Sequence, residues 1–126
     1  MTQNPLILVV EDNEANQILA RAVLELEGYE VRVAGSAPEA RQELSGCLPD
    51  LILMDVQLPG QDGLSFTRVL KSDPATSSIP VVALTAHAMN GDRDQALSAG
   101  CVGYISKPID TRTLGIQVRQ FLPAAQ

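Results

Sequence analysis

Five polar residues have the types and the placement to do chemistry together: Glu11, Asp12, Asp55, Thr85 and Lys107. Each stands at or just past the end of a stretch that reads as a strand. Three carboxylates drawn within a few ångströms of one another cannot all stay ionised without a cation, because like charges raise a carboxyl pKa. Mg²⁺ suits such a set, since it keeps several waters and takes one or two carboxylates plus phosphate oxygens. Lys107 adds a fixed positive charge opposite the metal. At about 4 Å and a near-surface effective dielectric, its attraction to one phosphoryl charge is roughly 4 kcal/mol before desolvation. A carboxylate can act as the nucleophile of phosphoryl transfer, where the protein's task is to position the donor and neutralise the equatorial oxygens. Asp55 is the expected nucleophile, with Mg²⁺, Lys107 and the Thr85 hydroxyl each taking an oxygen.

The elements that must position these groups are legible as a repeated pattern. Leu6-Ile7-Leu8-Val9-Val10 reads as a strand buried on both faces and ends in Glu11-Asp12-Asn13. Ala15, Leu19, Ala22, Val23 and Leu26 then recur at helical spacing, with Asn13 as N-cap and Gly28 as C′ residue. Residues 29–34 alternate as a more exposed strand, and Ser36, Pro38 and Glu39 open a second helix that fades near Gly46. Leu51-Ile52-Leu53-Met54 is the central buried strand, delivering Asp55 to a loop punctuated by Pro59 and Gly60. A short helix over 64–71 carries Leu64, Val69 and Leu70. Val81-Val82-Ala83-Leu84 is the fourth strand, with Thr85 at its end. A weak, mobile helix is expected over 86–99, because Asn90-Gly91 is poor helix material. Residues 101–106 form a fifth strand ended by Lys107-Pro108, and Leu114, Val118, Phe121 and Leu122 stripe a last helix capped by Asp110.

Strands alternating with helices imply a parallel sheet covered on both faces, with right-handed crossovers. The expected fold is α/β, a flavodoxin-like doubly wound five-stranded parallel sheet, (βα)5. In that strand order the ends of the first, third, fourth and fifth strands gather at one edge, where ligands bind in such folds.

A chain of 126 residues is the size of one domain, and we expect a single domain over 1–126. The net charge of −6 is the wrong sign for holding nucleic acid phosphates, and four aromatic residues make no base-stacking platform. Apolar runs are too short to cross a membrane and no leader pattern precedes the first one, so no membrane contact and a cytoplasmic location are expected. Cys47 and Cys101 have no metal spacing; reduced thiols are the simplest reading, and their pairing is left open.

Glu11-Asp12, Leu53-Met54-Asp55, Leu58-Pro59, Asp62-Gly63, Ala83-Leu84-Thr85-Ala86 and Tyr104-Ile105-Ser106-Lys107-Pro108 resemble, in order and spacing, the receiver domain of two-component response regulators. The resemblance covers nearly the whole chain and is strongest to stand-alone and hybrid-kinase receivers. It implies that Asp12, Asp55 and the backbone carbonyl of Gln57 ligate Mg²⁺ and that Glu11 acts through water. It further implies that Thr85 and Lys107 hold the phosphoryl group on Asp55, that Tyr104 is the switch aromatic, and that a cis peptide precedes Pro108. Gln57 and His87 fall at variable positions flanking the phosphate site. The partners implied are a histidine kinase or histidine phosphotransfer protein and a downstream protein target, with the chain a monomer or a weak phosphorylation-dependent dimer. Asn16 and Ala20, taken to lie away from the core stripe of the first helix, are the expected donor contacts.

Taken singly, the five groups have ordinary explanations: helix capping for Glu11 and Asp12, a turn for Thr85, a solvated surface for Lys107. Five such accidents at the ends of four strands are far rarer than one site. A haloacid-dehalogenase-like phosphatase also uses a strand-end aspartate, but needs a second one two residues on, where this chain has Gln57. A flavin or nucleotide binder would bring a glycine-rich phosphate loop, and none is present. A receiver excised from a hybrid kinase or a multidomain regulator is the remaining alternative; Met1 close before the first strand and an end just past the last helix lead us to expect a stand-alone protein. The expected role is signalling through a phosphoacceptor, with at most self-directed phosphotransfer and autodephosphorylation, and not turnover catalysis.

Overall fold

The computed structural model describes residues 4–60, 62–85 and 90–122, with the backbone alone over 90–93. Among these, strands and helices alternate: β1 (Leu6–Val10), α1 (Glu14–Leu26), β2 (Glu30–Ala34), α2 (Ala37–Gly46), β3 (Leu51–Asp55), α3 (Gly63–Ser72), β4 (Val81–Thr85), α4 (Asn90–Ala99), β5 (Gly103–Ser106) and α5 (Leu114–Phe121). The five strands form one parallel sheet in the order β2-β1-β3-β4-β5. This is the flavodoxin-like arrangement expected from the sequence.

Successive strand residues point to opposite faces, so each apolar run feeds two cores. Leu8, Val10, Ile52, Met54, Val81 and Ala83 pack on one face with Ala40 of α2, Phe66 and Leu70 of α3, and Ala96 of α4. Ile7, Val9, Leu53, Val82, Leu84 and Ile105 pack on the other with Ala20 and Leu24 of α1 and Leu114 and Val118 of α5. Burial on both sides is why these strands read as unbroken apolar runs. At the far edge of the sheet Asp50 ties β3 to β1, its N–H donating to the Leu6 carbonyl and its carboxylate accepting from Leu6 N, both at 2.7 Å.

Helix starts follow their caps. Asn13 Oδ1 accepts from Asn16 N at 2.9 Å and Asp62 Oδ1 from Leu64 N at 2.8 Å. Ser36 Oγ accepts from Glu39 N at 3.3 Å while Glu39 Oε1 accepts from Gly35 N at 2.6 Å, a variant of the capping box whose return bond reaches the residue before the cap. Gly28, at φ +94°, ends α1 in the left-handed conformation glycine tolerates.

The buried face of α1 differs from the expected stripe. Ala20 and Leu24 face the core with Leu19 and Val23 partly buried, whereas Ala15 and Ala22 are exposed and Leu26 is 88% exposed. Ala20 is therefore a core residue and no donor contact. Val69 is likewise on the exposed side of α3, whose buried face is Gly63, Leu64, Phe66, Thr67 and Leu70. The cap of α5 also moves: Thr113 is the N-cap, and Asp110 instead shapes the preceding turn, its carboxylate accepting from Arg112 N at 2.9 Å and its carbonyl from Leu114 N at 3.0 Å. The part of the expected fourth helix at 86–89, with His87, lies outside the described residues.

Candidate phosphoacceptor site

Backbone hydrogen bonds continue past the strand ends and lock the polar groups to one edge of the sheet. Glu11 N donates to Ala34 O at 2.9 Å, Val56 N to Leu84 O at 3.1 Å and Lys107 N to Thr85 O at 2.7 Å. Carboxylate oxygens of Glu11, Asp12 and Asp55 consequently lie within 4.8 Å of one another, with Glu11 and Asp55 buried and Asp12 exposed. The Lys107 ammonium reaches across to Asp55 Oδ2 at 2.9 Å and Glu11 Oε1 at 3.0 Å. It sits directly on two of the carboxylates, closer than a charge merely facing a metal. Asp55 Oδ1 accepts from Gln57 N at 2.9 Å, which fixes the Gln57 peptide beside the carboxylate.

The electrostatics follow from that crowding. Burial holds Glu11 above the ordinary carboxyl range, with the Lys107 ammonium working against the shift and the Asp55 carboxylate adding to it. For Lys107, burial pulls the pKa down, but hydrogen bonds to Asp55 and Glu11 outweigh it and the net shift is upward. Formally, three carboxylates and one ammonium leave two negative charges. Glu11 Oε1, although paired in charge with Lys107, is buried without a well-directed hydrogen bond. A donor set of hard oxygens with two uncompensated charges fits a divalent cation such as Mg²⁺.

Thr85 ends β4 on the same edge and is buried. The register pairs Ala83 with Tyr104 and Thr85 with Ser106, which puts Tyr104 diagonal to Thr85 on the face that carries α3 and α4. The Lys107–Pro108 peptide is cis, as the receiver resemblance implies. Asn16 is half-buried beside its cap. Cys47 and Cys101 are both free thiols, and burial pushes the Cys101 thiol up to about 11.

Two residues escaped the sequence reading. Gly63, read as turn and capping chemistry with Asp62, also lets α3 start against Asp55: a Cβ there would fall 1.9 Å from the Asp55 carbonyl oxygen. The Asp-Gly pair signalled a turn but not this approach. Gln17 donates its side-chain amide to the Glu11 carbonyl from within α1, and nothing in its sequence surroundings marks it.

A doubly wound sheet with an acid cluster, a strand-end aspartate and a bridging lysine at one edge defines a receiver-like module. Over residues 7–119 the chain matches the response regulator receiver domain, and it belongs to that family of two-component signalling modules, whose members interact with histidine kinases and downstream targets. Response regulator PleD of Caulobacter vibrioides is 48% identical over 113 residues, 90% of this chain, which spans only 25% of that longer protein. Polar-differentiation response regulator DivK of Brucella ovis is 43% identical over 116 residues, covering 92% of this chain and 94% of DivK. Among solved structures, the receiver domain of sensor histidine kinase PA1611 from Pseudomonas aeruginosa superposes with a TM-score of 0.84 at 36% identity, covering 94% of this chain and 97% of that one. That structure has a magnesium ion coordinated in its active-site cleft. No helix among the described residues is long and apolar enough to cross a membrane.

Proposed function

We propose that residues 1–126 form a stand-alone response regulator that takes a phosphoryl group from a phosphohistidine onto Asp55. The observation that carries this reading is the buried Asp55 carboxylate with Lys107 at 2.9 Å, inside a cluster with Glu11 and Asp12. An Asp55 oxygen attacks phosphorus, the phosphorus–nitrogen bond to the imidazole breaks, and the freed imidazole leaves with the electron pair. Asp12, Asp55 and the Gln57 carbonyl are the proposed ligands of Mg²⁺, with Glu11 acting through water; the bound ion supplies charge neutralisation for the phosphoryl oxygens. The Lys107 side chain is 18% exposed and lies over Asp55, so its ammonium transfers from the carboxylate to a phosphoryl oxygen as the group arrives. Thr85 takes another oxygen through its hydroxyl. The donor, a histidine kinase or histidine phosphotransfer protein, docks on the exposed apolar face of α1, which begins directly after the acidic loop. Phosphorylation then changes the α4-β5-α5 surface for a downstream protein target.

The stand-alone reading is supported by the likeness to DivK over nearly its whole length. The likeness to a quarter of PleD favours a second reading, a receiver within a longer regulator. Both predict the same chemistry. Incubated with acetyl phosphate and Mg²⁺, the wild type should gain one phosphoryl group by mass spectrometry, and Asp55→Asn should gain none while keeping its circular dichroism. Labelling of the variant at wild-type stoichiometry would remove Asp55 from the role.

A further inference from the structure

Strand β1 ends at Val10, and the two acidic residues follow on a short link before α1 starts at Glu14. Glu11 is held at three points. Its N–H donates to the Ala34 carbonyl at 2.9 Å, its carboxylate meets Lys107 and the Asn13 N–H, and its carbonyl accepts from the Gln17 side-chain amide. The last contact bears on Asp12. The Glu11 carbonyl and the Asp12 N–H share one rigid peptide plane, so fixing the carbonyl fixes the direction in which the chain enters Asp12. Asp12 is exposed, so burial does not hold its side chain, and the plane before it sets where its Cα starts.

Gln17 is suited to this by its place. Its own N–H donates to the Asn13 carbonyl at 3.0 Å in the first turn of α1, which makes its base rigid. From there a glutamine reaches back over the turn to Glu11. Gly35 lies alongside: a Cβ at that position would stand 3.6 Å from Gln17 Nε2, an ordinary contact.

The geometry points to Gln17 as a positioning residue for the metal-binding acid: by donating to the Glu11 carbonyl it sets the Glu11–Asp12 peptide plane and holds the Asp12 carboxylate in the cluster with Glu11 and Asp55. This rests on the reading that Asp12 and Asp55 hold Mg²⁺. Gln17→Met keeps the length and helix propensity of the side chain but removes the donor. The measurement is calorimetric titration of the full chain with Mg²⁺, beside the Tm in EDTA and the amide NMR resonances of Asp12 and Asn13 in metal-free buffer. The Mg²⁺ Kd of the variant should rise roughly tenfold, as for loss of an outer-shell partner of a metal ligand. The two amide resonances should move and the EDTA Tm should stay at its wild-type value. Equal Mg²⁺ affinity in the two proteins overturns the role of Gln17 and leaves the acidic site standing. A loss of affinity with a matching fall in EDTA Tm overturns it too, because Gln17 then supports the fold and does not aim Asp12. Failure of the wild type itself to bind Mg²⁺ overturns the metal reading, and this inference with it.

Discussion

Glu11 is the residue at which charge and burial are most directly opposed. Its carboxyl is 1% exposed, shares Lys107 with Asp55, and is held above its ordinary value of 4.5 first by burial. A carboxyl whose folded pKa lies above its unfolded one binds more protons in the folded state. Its contribution to stability is therefore complete below pH 4.5 and is lost as pH rises through the raised folded pKa. In EDTA, Glu11→Gln should flatten that part of the Tm profile and be more stable than wild type near neutral pH. A profile with the wild-type slope would mean that another group titrates there. Lys107 works in the opposite pH range. Its raised pKa contributes stability below 10.5, lost only as pH climbs through the higher folded value, so the two effects separate in a titration.

At the scale of elements, the strands were legible and the orientation of α1 was not. Unbroken runs such as Leu6–Val10 and Val81–Leu84, short and rich in β-branched residues, read as strands buried on both faces, and the sheet they form brings Glu11, Asp55, Thr85 and Lys107 to one edge. Helix α1 is different because Ala15, Ile18, Leu19, Ala20, Ala22, Val23, Leu24 and Leu26 surround most of its circumference. Periodicity cannot choose a stripe among so many apolar positions; contact with the sheet and α5 does, and it selects Ala20 and Leu24. The hidden contacts of Gly63 and Gln17 were illegible for another reason, since both depend on backbone positions that only the assembled edge defines. What the rotation of α1 leaves outside is Ala15, Ile18, Ala22 and Leu26, an apolar face beginning beside Asp12, with Ile18 64% exposed. Apolar surface rimmed by charges such as Glu14, Arg21 and Glu25 is the proposed donor contact. Ile18→Glu should therefore slow transfer from a phosphorylated histidine phosphotransfer protein by about tenfold or more, since central apolar anchors dominate such interfaces. Acetyl phosphate labelling should be unchanged. Equal slowing of both reactions would place the damage in the site, and no slowing of either would move the donor surface elsewhere.

For the molecule as a whole, the unequal anchoring of its helices matters most. Helix α3 buries Leu64, Phe66 and Leu70, whereas among the side chains described for α4, over 94–99, only Ala96 and Ala99 are buried. Two methyl groups bury little apolar area, so a displacement of α4 costs far less than one of α3. Thr85 and Tyr104 lie on the sheet face that carries that helix. In the proposed switch, a phosphoryl oxygen on Asp55 that drew the Thr85 hydroxyl inward would leave space for the Tyr104 ring to turn, and the surface of α4, β5 and α5 would change with it. Moving such an equilibrium from about 1:99 to 99:1 takes about 5.5 kcal/mol of differential interaction. Lys107, the metal and a hydroxyl acting on one phosphoryl group are of that order, with charge-assisted hydrogen bonds contributing about 1.5 to 3 kcal/mol each. Thr85→Ala should then still accept phosphate on Asp55 yet fail to pass the signal on. Amide exchange across residues 90–106, with and without beryllofluoride standing in for the phosphoryl group, reads the coupling. The wild type should change protection there and the alanine variant should not. An alanine variant that responds as fully as wild type would show that Thr85 does not couple the site to α4, and that the switch runs through another residue.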